Sequence, residues 1–161
     1  MLRSGVLTIS DRSSQGLRED ASGPRLADVL RQHGIDVVWT AVVPDEENEI
    51  RRVLTQWADE NSADLILTSG GTGLSPRDVT PEATMAVVQR LVPGMAEAMR
   101  SASMSKTPHA MISRAVAGVR GKTLIINLPG SPKGAIENLE AVLPALKHAI
   151  DKIQGDPSEC A

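Results

Sequence analysis

Residues 65–82 read LILTSGGTGLSPRDVTPE, and this stretch decides the fold that we predict for the whole chain. It begins with an apolar run at residues 65–67, which is typical of a buried strand. A glycine-rich turn at residues 69–73 follows, and a polar block at residues 77–82 ends the stretch. Loops of glycines and hydroxyls that follow a strand commonly direct backbone N–H groups at a phosphate. We therefore predict a buried strand that leads into a phosphate-binding loop formed by Ser69, Gly70, Gly71, Thr72 and Gly73.

Strand and helix patterns alternate on both sides of this stretch. Short runs rich in β-branched residues predict strands at residues 6–10, 35–43, 64–68, 113–119 and 122–127. The polar residues between the first strand and the first helix predict a loop at residues 11–23. Apolar residues at helical spacing predict helices at residues 24–33, 46–59, 81–91 and 94–102. A closing helix follows residue 134, and we expect Pro144 to kink or divide it.

This alternation predicts an α/β fold, a three-layer α/β/α sandwich with a mostly parallel sheet. The link at Arg120-Gly121 is so short that the strands beside it must be antiparallel, which gives the sheet one antiparallel strand. The chain has 161 residues, which is enough for one domain with an ordinary core, and no linker divides it. We predict a single domain at residues 1–155 and a C-terminal tail at residues 156–161.

Composition excludes several classes of function. Hydrophobic residues make up 41% of the chain and charged residues 23%, which is typical of soluble globular proteins, and no apolar run reaches membrane length. The net charge of −3 gives no basic field, so we expect no nucleic-acid partner. Without an apolar run of membrane length, we expect no membrane partner either. The apolar run near Met1 is too short for a signal peptide, and Cys160 is the only cysteine, so we expect a cytoplasmic location. Phe and Tyr are absent, so a bound ring would rest on aliphatic walls and backbone groups.

Four loops follow the carboxyl ends of predicted strands, and the unusual residues of the chain gather in them. They are residues 11–23, the loop that begins at Pro44-Asp45, residues 69–80 and residues 128–134. Ligands of open α/β sheets bind outside this edge of the sheet. We therefore expect one cleft that all four loops line.

Asp45 and Asp78 are candidate catalytic residues and metal ligands. Asp45 precedes a strong helix, where an aspartate is typical of an N-cap worth ~1 kcal/mol, but its place after a strand also permits it to face the cleft. Asp78 is not needed as a cap, because Thr80 and Pro81 already provide a typical helix start. Two carboxylates that face bound phosphates are a common arrangement for Mg²⁺. Together, the two aspartates favour a magnesium site.

Two further motifs are weaker. The sequence GKT at residues 121–123 is similar to the end of a Walker A loop, but Val116 stands where the leading glycine would be. The motif also enters a strand rather than a helix, so we interpret it as a hairpin turn. The segment at residues 127–133 is either a turn capped by Ser131 or a second anion site to which Lys133 contributes.

Several blocks of the sequence resemble the molybdenum-cofactor biosynthesis family, specifically molybdopterin adenylyltransferases and the N-terminal domain of gephyrin. The blocks span most of the chain in the family's order and read LTISDRSSQG, VVPDE, LILTSGGTGLSPRDVTPEAT, HAMISRAVAGVRG and TLIINLPGSPKG. A sister group of similar fold, not established as catalytic, departs from the arginine–aspartate–valine–threonine block that this chain keeps at residues 77–80. The resemblance therefore favours the catalytic branch.

The resemblance implies an activity, its substrates and the residues that bind them. Members of the family use ATP and Mg²⁺ to adenylylate the terminal phosphate of molybdopterin, with release of pyrophosphate. The catalytic and metal-binding residues would be Asp45 and Asp78, and the nucleotide and phosphate loop would be residues 69–73. The residues implied for molybdopterin are Asp11, Ser13, Ser113, Arg114, Asn127, Pro129, Gly130, Ser131 and Lys133. The family also implies a homotrimer and a molybdenum insertase that receives the product.

Two other functions stay open on the sequence alone. One is a non-catalytic molybdopterin-binding or scaffold protein of the same fold, which would share the pterin pocket but lack Mg²⁺-dependent use of ATP. The other is a flavodoxin-like FMN carrier, which the predicted sheet permits. No aromatic residue occurs in the cleft loops to hold an isoalloxazine ring, which disfavours the FMN carrier.

Overall fold

The computed structural model describes residues 1–160, whose backbone forms a six-stranded mixed sheet with helices on both faces. The strands are β1 (Arg3–Ile9), β2 (Asp36–Val43), β3 (Leu65–Ser69), β4 (Arg90–Leu91), β5 (Ala117–Arg120) and β6 (Thr123–Leu128). The α-helices are α1 (Asp11–Ser14), α2 (Ser22–Gln32), α3 (Glu47–Thr55), α4 (Thr80–Val87), α5 (Pro93–Met104) and α6 (Pro132–Ile153). A π-helical turn, Gln56–Glu60, extends α3, and a 3₁₀ turn, Pro108–Ile112, precedes β5. Ala161, which ends the predicted tail at residues 156–161, lies outside the described residues.

The strands lie in the order β2-β1-β3-β6-β5-β4. The four strands β2, β1, β3 and β6 are parallel to one another. Strand β5 is antiparallel to both of its neighbours, so β4 again runs in the direction of the parallel strands. The prediction of a mostly parallel sheet with one antiparallel strand is confirmed, and so is the hairpin turn at residues 121–123, which joins β5 to β6.

Side chains of the central strands alternate between two hydrophobic clusters, one on each face of the sheet. On β3, Leu65 and Leu67 face the cluster formed with α2, α5 and α6, whereas Ile66 faces the cluster formed with α3. All three side chains are fully buried. Burial of each such side chain contributes about 1.5–3 kcal/mol to folding. Because both faces of β3 are covered, the sheet is the middle layer of a three-layer sandwich.

Several predicted boundaries are wrong. The helix predicted at residues 81–91 ends at Val87, because the backbone then turns to pair with β5 as β4. The strand predicted at residues 113–119 begins only at Ala117. Residues 11–23 are not all loop, since they contain α1 and the start of α2.

Pro144 lies inside α6 and does not divide it. A proline leaves unpaired the carbonyl of the residue four positions earlier, which is Glu140. Glu140 is exposed, so water can hydrogen-bond to that carbonyl. Within residues 1–160, no helix is both long and apolar enough to cross a bilayer.

Candidate active site

The carboxyl ends of β1, β2, β3 and β6 meet at one edge of the sheet, as the four loops predict. Strand β1 leads through α2 to β2 on one side, whereas β3 leads toward β6 on the other, so the chain changes direction between them. Open α/β sheets bind ligands in the crevice at such a switch point. A cavity of about 540 Å³ lies there, and its charged lining residues are Arg18, Glu19, Asp20, Asp45 and Asp78. We call it the carboxylate cavity.

A second cavity of about 350 Å³ adjoins the first and is lined mainly by α5, α6 and the 3₁₀ turn. We call it the helix cavity. Its polar lining residues include Arg100, Ser103, His109, Ser113 and Asn138. Both volumes are in the range of sites that hold small organic molecules.

The glycine loop is the wall between these cavities. Ser69, Gly70 and Gly71 line the carboxylate cavity, whereas Thr72 and Gly73 line the helix cavity. Gly71 has a φ of 70°, and a Cβ there would lie 2.3 Å from Thr80 Oγ1. This position therefore requires glycine for both its backbone angle and its close contact.

The glycine loop has backbone N–H groups that can donate hydrogen bonds to a ligand. Among residues 1–160, the N–H groups of Gly71, Thr72 and Gly73 donate to no other group. Thr72 is nevertheless a buried residue, only 7% exposed, and backbone N–H groups in buried surroundings are nearly always paired. Three successive free donors beside two cavities suit an anionic ligand that reaches both.

Thr80 fixes the loop rather than capping α4, so its predicted role is wrong. The N-cap of α4 is Val79, and no side chain caps this helix. The Thr80 hydroxyl donates to the Gly70 carbonyl at 2.9 Å, and the Thr80 amide donates to the Gly71 carbonyl at 3.1 Å. Asp78 is free of capping duty, as predicted. Its Oδ2 accepts from the Ser75 amide at 3.0 Å.

Asp45 is not a helix cap, because the N-cap of α3 is Glu46 and no side chain caps that end. Instead, Asp45 and Asp11 form a reciprocal pair. The Asp11 amide donates to Asp45 Oδ2 at 2.9 Å, and the Asp45 amide donates to Asp11 Oδ1 at 2.9 Å. Asp45 thus faces the carboxylate cavity with its orientation fixed by Asp11, the first residue of α1.

Two neighbouring carboxyl groups have opposite electrostatic environments. Burial, with the nearby carboxylates of Asp11 and Asp78, raises the pKa of Asp45 above its ordinary value. Hydrogen bonds from Arg77 lower the pKa of Asp11. Asp45 therefore sits where a positive charge would favour its ionised form.

The carboxylates of the carboxylate cavity suit Mg²⁺ only if a bound substrate supplies further oxygen ligands. Among residues 1–160, Asp45 Oδ1 and Asp78 Oδ1 accept no hydrogen bond, so each carboxylate keeps one oxygen for a cation. No group of three or more acidic, histidine or cysteine side chains in this part of the chain is arranged to hold a metal. Mg²⁺ commonly takes one or two carboxylates and completes its shell with phosphate oxygens and water. The two aspartates fit that pattern.

The nine residues implied for molybdopterin do not form one group. Ser113, Pro129 and Ser131 line the helix cavity, whereas Ser13 and Gly130 line the carboxylate cavity, which Ser131 also reaches. Ser131 is also the side-chain cap of α6, as one interpretation of residues 127–133 predicted.

The structure gives the other four residues different positions. Asp11 pairs with Asp45, and Lys133 is 88% exposed on α6 and lies outside both cavities. Arg114 donates to the carbonyls of Gly73 and Asp78, so it braces the glycine loop from behind. Asn127 is fully buried beneath the cleft.

The sequence patterns did not predict some of the residues that line the two cavities. Arg18 and Asp20 lie in what was predicted only as a polar loop, and Arg100 and Asn138 lie on helices whose cavity-facing side has no distinctive pattern. The one signal that could have found Asp20 is its position before a helix: its carboxylate accepts from the Gly23 amide at 3.0 Å.

Comparison with known proteins gives a consistent family. Residues 5–148 match the family described as probable molybdopterin binding domain. Molybdopterin adenylyltransferase from Helicobacter pylori is 46% identical over 154 residues, which cover 94% of this chain and 88% of that protein. Gephyrin from Dictyostelium discoideum is 47% identical over 163 residues, which cover 95% of this chain but 23% of gephyrin.

A solved structure agrees with the sequence matches. The molybdopterin biosynthesis enzyme MoaB from Thermus thermophilus is 53% identical and superposes with a TM-score of 0.92, covering 99% of this chain and 100% of that one. The chain therefore belongs to the molybdenum-cofactor biosynthesis family, and it is similar both to these bacterial proteins and to part of gephyrin.

Proposed function

We propose that this protein is a molybdopterin adenylyltransferase, which transfers AMP from ATP to the terminal phosphate of molybdopterin and releases pyrophosphate. The observation that carries the proposal is the position of Asp45 and Asp78 on either side of a glycine loop with free amides. A Cβ on Gly71 would lie 3.2 Å from Asp45 Oδ1, and one on Gly73 would lie 3.0 Å from Asp78 Oδ2. The Helicobacter pylori relative carries this enzyme's name.

The two cavities suit two substrates that meet at the glycine loop. ATP phosphates would lie in the carboxylate cavity, and the pterin would lie in the helix cavity against aliphatic and backbone groups such as Pro129. The terminal phosphate of molybdopterin and the α-phosphate of ATP would then both reach the free amides of Gly71, Thr72 and Gly73. Positioning of this kind contributes much of the catalysis of phosphoryl transfer.

The reaction is an in-line displacement. An oxygen of the molybdopterin phosphate attacks the α-phosphorus of ATP, a new P–O bond forms, and the bond to the β-phosphate oxygen breaks to release pyrophosphate. The glycine-loop amides would donate to the α-phosphate oxygens as their charge increases. Asp45 and Asp78 would hold Mg²⁺, which neutralises phosphate charge when bound. Among the described residues 1–160, Arg18 is the only cation that lines the carboxylate cavity, so a polyphosphate there would need such help.

Three further expectations from the sequence belong to this proposal. We expect a homotrimer, a cytoplasmic location and hand-over of adenylylated molybdopterin to a molybdenum insertase. Neither nucleic acid nor a membrane is an expected partner.

A non-catalytic molybdopterin-binding scaffold of the same fold is the second candidate, because the name of the similar Thermus thermophilus protein, the molybdopterin biosynthesis enzyme MoaB, does not specify adenylyl transfer. One experiment separates the two. Purified protein is mixed with molybdopterin, ATP and Mg²⁺, and pyrophosphate and adenylylated molybdopterin are quantified. The enzyme produces both in equal amounts, and omission of Mg²⁺ stops the reaction. A scaffold would bind molybdopterin and release no pyrophosphate.

A further inference from the structure

Arg77 joins two loops of the carboxylate cavity without lining the cavity itself. Its Nε donates to Asp11 Oδ2 at 3.0 Å, and its Nη2 donates to Asp11 Oδ1 at 3.0 Å. The same Nη2 donates to Glu46 Oε1 at 2.9 Å. A single guanidinium from the loop after β3 thus holds the segments that follow β1 and β2.

The contacts continue from Asp11 to Asp45. Asp11 Oδ1 accepts from the Asp45 amide, and the Asp11 amide donates to Asp45 Oδ2, each at 2.9 Å. Asp11 Oδ1 therefore binds Arg77 and the Asp45 backbone at once. Glu46 follows Asp45 and accepts a hydrogen bond from Arg77, so Arg77 also contacts the turn that contains Asp45 directly. Arg77 is thus linked by hydrogen bonds, through Asp11 and Glu46, to the backbone that carries the Asp45 carboxylate.

We propose that Arg77 is a positioning residue that, through Asp11, fixes the Asp45 carboxylate in the orientation that binds the divalent cation of the nucleotide. The inference rests on the proposed function. It deepens that function by assigning a task to a residue that touches neither cavity. Groups that orient metal ligands typically change metal affinity or activity about 10–100-fold when they are removed.

The geometry of the contact requires arginine. The planar guanidinium presents parallel N–H groups to both oxygens of Asp11 and still reaches Glu46, which a single ammonium group cannot do. The side chain of Arg77 is 54% exposed, and exposed ion pairs add little to stability. Removal of the Arg77 side chain should therefore change the position of the Asp45 carboxylate far more than the free energy of unfolding.

The test compares Arg77→Ala, Asp11→Ala and the double variant with wild type. Mn²⁺ serves as the probe, and its affinity for the protein–ATP mixture is measured by electron paramagnetic resonance, alongside hydrogen exchange of the Asp45 amide. We expect each single variant to weaken Mn²⁺ binding about 10–100-fold and the double variant to weaken it no further, because both changes break one chain of contacts. Exchange of the Asp45 amide should accelerate at least ~10-fold in Arg77→Ala.

Two controls sharpen the result. Arg120→Ala removes an arginine that likewise donates two hydrogen bonds to one carboxylate, to Asp59 Oδ1 at 3.0 Å and Asp59 Oδ2 at 2.7 Å. Arg120 pairs with the first residue of β6, at the opposite end of that strand from the cleft. It should leave Mn²⁺ binding and Asp45 exchange unchanged. Arg77→Lys should bind Mn²⁺ more tightly than Arg77→Ala but less tightly than wild type. Lysine keeps the positive charge but lacks the planar guanidinium with its parallel N–H groups.

Other outcomes overturn the inference. Losses that add in the double variant would mean that Arg77 acts on the phosphates directly rather than through Asp11. Unchanged Asp45 exchange and Mn²⁺ affinity in Arg77→Ala would remove the positioning role even if wild type releases pyrophosphate. Conversely, faster exchange and weaker Mn²⁺ binding would support the role even in a protein that releases none, so the two proposals fail separately.

Discussion

At the scale of single residues, the burial of Asp45 predicts a pH dependence of stability. A carboxyl group whose pKa is raised by folding binds its proton more tightly in the native state than in the unfolded state. Stability then falls as pH rises from the ordinary pKa of 3.8 through the raised one, and the penalty persists above it. The ionised form of Asp45, which the proposed cation site requires, thus lowers the stability of the fold.

The variant Asp45→Asn tests this conflict. It removes the charge but keeps an oxygen to accept from the Asp11 amide, so we expect stability at pH 7 equal to or above that of wild type, with adenylyl transfer lost. The difference in free energy of unfolding between Asp45→Asn and wild type should shrink as pH falls below the raised pKa of Asp45. Urea denaturation at pH 7 and pH 4 measures it. A variant that is less stable than wild type at pH 7 would contradict the predicted penalty.

Gly71 and Gly34 form a matched pair for the glycine loop. Their φ angles are 70° and 74°, but a Cβ would lie 2.3 Å from Thr80 Oγ1 at Gly71 and would meet nothing within 4 Å at Gly34. Gly34→Ala should destabilise the protein by about 1–2 kcal/mol through backbone strain alone. Gly71→Ala should destabilise by about 1–3 kcal/mol more, because Thr80 must move. Equal losses in urea denaturation would show that this contact is not tight.

At the scale of elements, Asn127 holds β6 to its surroundings. Its amide donates to the hydroxyls of Thr68 on β3 and Thr84 on α4, and its Oδ1 accepts from the Val116 amide at 3.2 Å. The residue that the family resemblance assigned to molybdopterin thus has its hydrogen-bonding groups in use inside the protein. The sequence could not reveal this, since a polar residue at the end of a strand is equally typical of a cleft.

The variant Asn127→Ala should therefore lose stability rather than substrate affinity. We expect a loss of about 2–4 kcal/mol, because several buried polar groups lose their partner. The exposed Asn48→Ala on α3 should change stability by less than about 0.5 kcal/mol. Thermal unfolding gives the stabilities, and assays below the transition give the KM for molybdopterin. A raised KM for molybdopterin in a stable Asn127→Ala protein would instead show that Asn127 contributes to substrate binding.

At the scale of the whole molecule, most of the sheet was predictable, because every strand except β4 lies in a run of apolar or β-branched residues. The two residues of β4 are exposed and lie inside a predicted helix, so no such run marks them. The short link at Arg120-Gly121 sets the one antiparallel strand. The site was predictable only as loops at one edge. That Arg77 grips Asp11, 66 positions earlier, and that the glycine loop separates two cavities depend on packing between distant segments. Local patterns carry no information about such contacts.

The central claim is that Asp78 and Asp45 together support Mg²⁺-dependent adenylyl transfer, and the most direct measurement is pyrophosphate release by Asp78→Ala. The variant removes a carboxylate that accepts one amide hydrogen bond, so it should remain folded by circular dichroism and still bind molybdopterin. Asp28→Ala, which removes a surface partner of Arg31, is the matched control. We predict that release falls at least ~100-fold in Asp78→Ala and is unchanged in Asp28→Ala. Turnover by Asp78→Ala within a few-fold of wild type would contradict the account.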